Sequence, residues 1–206
     1  MTLMHQTWSE VLFILIEVEA ASLEKLLPSK LDLDLFEGKA YVSLVPFKME
    51  NIRPAFIPNL PYFSSMNEFN LRTYVKFKDQ SSVYFFSLDA DKTLHIEIAR
   101  KLFKLNYLKA QINYDTQSKI KSFTCIRKDN RDHQTHAQIK YSINPELLDI
   151  DTNSLDYWLT NRYSYLEQKG QKIFQGKLTH PQWQLQIASL IKLEEDLLDK
   201  YQIKAI

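Results

Sequence analysis

Between Met66 and Ala90 the chain carries two apolar-rich runs separated by a polar turn, the pattern of a β-hairpin. The first run is Asn67-Glu68-Phe69-Asn70-Leu71-Arg72-Thr73-Tyr74-Val75, the second Val83-Tyr84-Phe85-Phe86-Ser87-Leu88-Asp89-Ala90, and Lys78-Asp79-Gln80-Ser81-Ser82 joins them. Aromatic and β-branched residues, which fit a pleated surface, dominate both arms. A period of two puts Glu68, Asn70 and Arg72 on one face of the first arm and Phe69, Leu71 and Thr73 on the other. On a solvated face such a polar row means little. Facing a cleft or a barrel interior, it would set an acid, an amide and a guanidinium side by side, which suits a small polar ligand.

The same reading along the rest of the chain predicts a buried strand at Val11 to Ile16, then a short helix from Ala20 to Leu27 that Pro28 ends. Leu31 to Phe36 alternates, Glu37-Gly38 turns and Ala40 to Val45 returns, which predicts a second hairpin. Four prolines between Pro46 and Pro61 predict a long irregular loop leading into the central hairpin. Leu94, Ile98 and Leu102 recur every four residues, predicting a helix from about Asp91 to Lys104 with Asp89 as its N-cap. Three antiparallel strands follow, Lys109 to Tyr114, Ile120 to Arg127 and Thr135 to Ile143. Asn153 or Ser154 caps a short helix ending near Arg162. A hairpin turns at Lys169-Gly170-Gln171, and the tail reads as strand to about Leu193, then helix. The result is one α+β domain over residues 1–206, mainly antiparallel sheet with two or three helices.

Composition narrows the chemistry. In 206 residues the formal net charge is +1 and charged residues make up 25%, so no basic excess calls for nucleic acid. Three glycines against twelve Phe and eleven Tyr disfavour Gly-rich phosphate loops and predict an aromatic core. The single cysteine, Cys125, reads as a small buried strand residue and implies no disulfide framework, which fits a reducing, cytoplasmic setting. The apolar run Val11 to Ile16 is too short to span a bilayer, so no membrane partner is expected. His133 and His136 fall three apart on an expected strand, which throws them to opposite faces and argues against a shared metal, while His95 reads as an exposed helix residue. No cofactor is called for, and the pattern leaves room for a homo-oligomer.

Asn67 to Val75, Val83 to Ala90, Ala99-Arg100, Tyr157-Trp158-Leu159-Thr160-Asn161-Arg162-Tyr163 and His180-Pro181-Gln182-Trp183-Gln184-Leu185, with Trp8 and Pro46-Phe47 ahead of them, resemble the successive signature blocks of the YqjF-like family of uncharacterised bacterial proteins. The resemblance covers nearly the whole chain. That family is grouped with acetoacetate decarboxylase-like proteins, which implies a sheet curled into a barrel-like cone around a small-molecule cavity and turns the Glu68, Asn70 and Arg72 row inward. In acetoacetate decarboxylase a lysine forms a Schiff base with a ketone, from a Gly-Arg-Glu block followed by Pro-Lys-Lys. The similar stretch here, Ala99 to Ala110, keeps the arginine as Arg100 but has Tyr107 and Leu108 at the paired lysines. Imine chemistry is therefore not expected. The resemblance implies Glu68 as a general acid or base, with Asn70, Arg72, Arg100, Tyr107, Arg162 and His180 around an anionic or carbonyl compound. Three functional readings stand at this point: an enzyme without the lysine, a binding module with the same cavity, and a scaffold whose polar row is a buried ion-pair network.

Overall fold

The computed structural model describes residues 4–54 and 65–206. In chain order the elements are β1 (Met4–Ser9), β2 (Ile14–Val18), α1 (Ala20–Glu24), β3 (Asp32–Leu33), β4 (Ala40–Pro54), β5 (Met66–Phe77), β6 (Gln80–Ala90), α2 (Thr93–Leu102), β7 (Tyr107–Asp115) and β8 (Lys121–Arg127). The chain continues with β9 (His136–Leu147), α3 (Leu155–Thr160), β10 (Ser164–Lys169), β11 (Lys172–Lys177), β12 (Gln186–Glu195) and α4 (Leu197–Lys200). All twelve strands belong to one sheet whose main path is β1-β4-β5-β6-β7-β8-β9-β12. Most pairs are antiparallel, as expected. The exceptions are β6 with β7, joined by the crossover helix α2, and β6 with β10.

The sheet curls so that β5 is buried on both faces. Phe69 and Leu71 join Val42, Leu44, Phe123, Cys125 and Ile139 in a first core between β2, β4 and β5 on one side and β7, β8 and β9 on the other. Tyr74 points the other way, into a second core with Tyr41, Val45, Phe47, Val83, Ile96 of α2, Leu159 of α3 and Tyr165 of β10. A strand with no solvated face leaves no cheap place for a polar row, because a buried polar group costs free energy unless it is hydrogen-bonded. The alternation of Glu68, Asn70 and Arg72 is thus a property of the core.

Three expectations are corrected. The loop expected from Pro46 is, as far as Pro54, a continuation of β4; the remainder of that expectation, 55–61, lies outside the described residues. Pro46 is tolerated in the ladder because its carbonyl accepts from Leu12 N on the edge where β2 ends and β1 has not begun, so its missing N–H has no strand to donate to there. The Leu31 to Phe36 segment contributes only Asp32–Leu33, which pairs with β5 rather than with β4. In α2 the buried residue is Ile96, at 1% exposure, with Ala99 and Phe103 packed on the second core, while Leu94, Ile98 and Leu102 face outward. Among the other elements, β1 was not expected and the strand expected at Val11 to Ile16 runs Ile14–Val18, whereas Ser154 caps α3 by accepting from Tyr157 N and β10 and β11 pair around Gly170.

Gly176 on β11 sits directly opposite Tyr165, and a Cβ there would collide with the Tyr165 ring. That ring is buried in the second core and cannot swing away freely. Gly176→Ala is expected to destabilise the protein by about 1–3 kcal/mol, seen as a lower thermal midpoint.

Candidate functional site

Strand β5 presents Glu68, Asn70, Arg72 and Tyr74 to the second core, and its cross-strand partners complete the surface. On β4 these are Phe47, Val45 and Ser43, opposite Glu68, Asn70 and Arg72; on β6 they are Ala90, Leu88 and Phe85. Tyr107 of β7, paired with Leu88, reaches across and donates its hydroxyl to Glu68 Oε2 at 2.6 Å, while Asn70 Nδ2 donates to Glu68 Oε1 at 3.0 Å. Glu68 is 2% exposed. Burial pushes its carboxyl up to about 7, and the hydrogen bonds from Tyr107 and Asn70 and the nearby Arg72 charge hold it from rising further. Tyr107, buried and facing a carboxylate, is pushed well above its ordinary range and stays a donor.

A carboxyl whose folded pKa lies above its unfolded value binds more protons in the native state, so its contribution to stability is full below the unfolded value of 4.5 and is lost as pH rises through about 7. Above that pH the buried charge costs on the order of 3 kcal/mol. Glu68→Gln is therefore expected to melt higher than wild type at alkaline pH and to lose most of that advantage in mildly acidic buffer. Thermal midpoints across the range check this; an advantage independent of pH would contradict it.

Arg72 and Arg162 extend the row. The Arg72 guanidinium lies over the rings of Phe13 (5.2 Å) and Tyr74 (5.8 Å) and forms no ion pair with Glu68. Arg162, just after α3, lies over Trp158 (4.2 Å) and Tyr74 (5.1 Å), donates Nε to the Trp158 carbonyl at 2.8 Å, and pairs through Nη1 with buried Asp34 at 2.5 Å. Burial pulls its pKa below the usual value against the pull of Asp34. The same rings connect to Trp8: Phe13 meets Trp183 edge-on at 5.6 Å, and Trp183 stacks on Trp8 at 6.0 Å. Around these rings, four buried polar atoms have no hydrogen-bond partner among the described residues: Arg72 Nε, Arg162 Nη2, Trp8 Nε1 and Asn70 Oδ1. An unsatisfied buried group costs about 1–3 kcal/mol. Three of these atoms are donors and one is an acceptor, and among the described residues nothing pairs with them.

The other residues named from the sequence fall elsewhere. Arg100 of α2 donates Nε and Nη2 to the Tyr107 carbonyl and pairs with Glu97 and Asp129, so it holds the backbone beneath Tyr107 and its donors are spent. His180 stacks on Tyr163 at 4.6 Å and approaches Trp8 and Trp183, with its ring nitrogens at the carbonyls of Pro181 and Arg162. It buttresses the aromatic wall behind Arg162. Asp89 does not cap α2, whose N-cap is Lys92; it accepts two 2.7 Å hydrogen bonds from buried Arg127 on the opposite face of β6. His136 Nδ1 meets Asp196 at 2.8 Å, His133 lies outside the strand, and His95 is half-buried, its Nδ1 without a partner among the described residues. Among the described residues no group of three or more His, Cys, Asp or Glu is placed to hold a metal, and no helix is long and apolar enough to cross a membrane. Cys125 is buried and its thiol is pushed well up by desolvation. Tyr74 and Asp34 join this surface without having been expected there, although Tyr74 continues the same period-two row of β5.

A model of the DUF2071 family, described as an uncharacterized conserved protein, matches residues 5–205. The chain belongs to this family. Over 186 residues it is 37% identical to the uncharacterized protein YqjF of Bacillus subtilis (strain 168), covering 90% of this chain and 76% of that protein. Among solved structures it is similar to an acetoacetate decarboxylase-like enzyme from Sphingomonas wittichii RW1, with a TM-score of 0.60 and 12% identity over 100% of this chain and 86% of that one. It is also similar to the acetoacetate decarboxylase of Legionella pneumophila (TM-score 0.53, 16% identity, 76% of this chain), of which it spans only 55%. A third similar structure is the enduracididine biosynthesis enzyme MppR complexed with pyruvate (TM-score 0.52, 12% identity, 88% of this chain and 66% of that one). At these identities the likeness is one of fold: this is a YqjF-like protein with an acetoacetate decarboxylase-like fold.

Proposed function

We propose that the Glu68, Asn70, Arg72 and Tyr107 face of the second core binds a small compound bearing a carboxylate or carbonyl oxygen. The observation that carries this reading is the set of buried donors on Arg72, Arg162 and Trp8 that have no partner among the described residues. A scaffold network would satisfy itself by pairing Glu68 with Arg72; here Glu68 is bonded to Tyr107 and Asn70 and the Arg72 Nε is left open. Guanidinium groups held over aromatic rings, as Arg72 and Arg162 are, have restricted freedom and can take planar oxyanions through their fork of donors.

Glu68 then supplies the chemistry. With its carboxyl titrating at about 7, it is a general acid below that pH and a general base above it. In the basic form it can remove a proton from the carbon beside a bound carbonyl, while Arg72 and Arg162 take up the negative charge that moves onto oxygen. Imine formation has no nucleophile here: Tyr107 and Leu108 occupy the positions that resemble the lysine pair, and the flanking Lys104 and Lys109 are exposed. A thermal-shift screen of keto acids, hydroxy acids and aldehydes, pyruvate among them because MppR is solved in complex with it, tests the reading. A ligand of the native state raises the midpoint. The expected result is a set of carboxylates that stabilise wild type and not Arg72→Ala; a wild type shifted by none of them speaks against it.

A further inference from the structure

Strand β6 has different neighbours along one edge. Its beginning runs beside β10, with Tyr165 and Leu166 of β10 against Val83 and Tyr84, and its end beside β7, from Leu88 against Tyr107 to Ala90 against Lys109. Among the described residues no strand lies beside Phe85, Phe86 and Ser87 on that edge, and the register with β5 shifts there, with Leu71 opposite Ser87 but Arg72 opposite Phe85. One extra residue, Phe86, is therefore bulged out at the break. The break opens into a cleft of about 230 Å³. Its walls include Glu167 from β10, Asn106 from the start of β7, Leu26, Tyr201, Tyr84 and Phe86.

Glu167 is the feature that asks for a partner. It is 9% exposed, and among the described residues its carboxylate accepts no hydrogen bond and makes no ion pair. Burial pushes it up to about 7, and the only charge drawing it down is Lys169, two residues on along the same strand. The other titratable groups facing it are the phenols of Tyr84 and Tyr165, both pushed up by burial and by Glu167 itself; Tyr201 beyond Tyr84 is likewise pushed up by burial. None of these supplies a positive charge. The remaining wall is aromatic: Tyr84 meets Phe86 edge-on at 5.6 Å, and Phe86 meets Tyr201 at 5.9 Å. One carboxylate against aromatic faces suits an organic cation better than a hard metal ion, which needs several oxygen ligands. The cleft has room for a small organic ion.

We propose that this break in the sheet is a second binding site, taking a small alkylammonium compound with its charged head on the Glu167 carboxylate and its carbon chain against Phe86, Tyr84 and Tyr201. It is separate from the Arg72 face and selects the opposite charge.

Calorimetric titration of the full chain with n-butylammonium chloride, using sodium chloride at matched ionic strength as the control, tests it. Saturable one-site binding is expected. Run at about pH 7 in two buffers of different ionisation heat, the binding should release roughly half a proton as Glu167 ionises against the cation. Glu167→Gln is expected to weaken binding by about tenfold or more, whereas Arg72→Ala leaves it unchanged. No saturable heat, a heat reproduced by sodium, or equal binding by Glu167→Gln would overturn the proposal. Should Glu167→Gln fail to fold, binding by wild type without proton release overturns it equally.

Discussion

Arg127→Met should destabilise the protein by about 3–5 kcal/mol, a fall in thermal midpoint on the order of ten degrees. Arg127 and Asp89 are each 1% exposed, and the guanidinium reaches Asp89 through two 2.7 Å hydrogen bonds, bonds Ser87, and meets Asp132 at 2.6 Å. Lys200 at the C-terminal end closes on the same Asp132. Removing the cation leaves the Asp89 carboxylate stranded between β6 and β8 with no water to solvate it, which is the costly case; a pair replaced as a whole costs far less. The double variant Arg127→Met with Asp89→Leu should accordingly recover much of the loss. A single variant that melts within two or three degrees of wild type would mean that solvent reaches Asp89.

Arg72→Ala should behave in the opposite way. Its Nε has no partner to lose, so the ligand-free protein should melt within a few degrees of wild type, the lost ring contacts over Phe13 and Tyr74 being offset by removal of a buried orphan donor. Affinity for a carboxylate ligand, in contrast, should fall on the order of a hundredfold, about 3 kcal/mol, because the charge that receives the oxyanion is gone. Stability and binding thus separate at this residue. A scaffold role predicts the reverse: a large drop in midpoint with no ligand to lose.

The polar row itself was legible in the sequence, because alternation on a strand is local and Glu68, Asn70 and Arg72 keep it through the fold. Its surroundings were not. The hydroxyl that meets Glu68 comes from Tyr107, 39 residues away, and only resemblance to a known family pointed there. Asp89 sits where a helix cap would, two residues before Asp91, but the extra residue at Phe86 sets Ser87 and Asp89 toward Arg127, a long-range consequence of register that periodicity cannot supply. In α2 the large aliphatics Leu94, Ile98 and Leu102 make a convincing stripe, yet the face that packs is Ile96, Ala99 and Phe103, since that side of the helix meets the second core. The second half of β4, from Pro46 on, was hidden by Pro46, which is harmless where its missing N–H faces the junction between β1 and β2.

The most direct test of the central claim is an equilibrium titration of wild type and Arg72→Ala with the carboxylate that gives the largest thermal shift, repeated at pH values on either side of about 7. One carboxylate site per chain is expected, with affinity that tightens as pH falls and Glu68 takes up its proton beside the anion, and with loss of that site in Arg72→Ala. Binding that is unchanged in Arg72→Ala and indifferent to pH would contradict it.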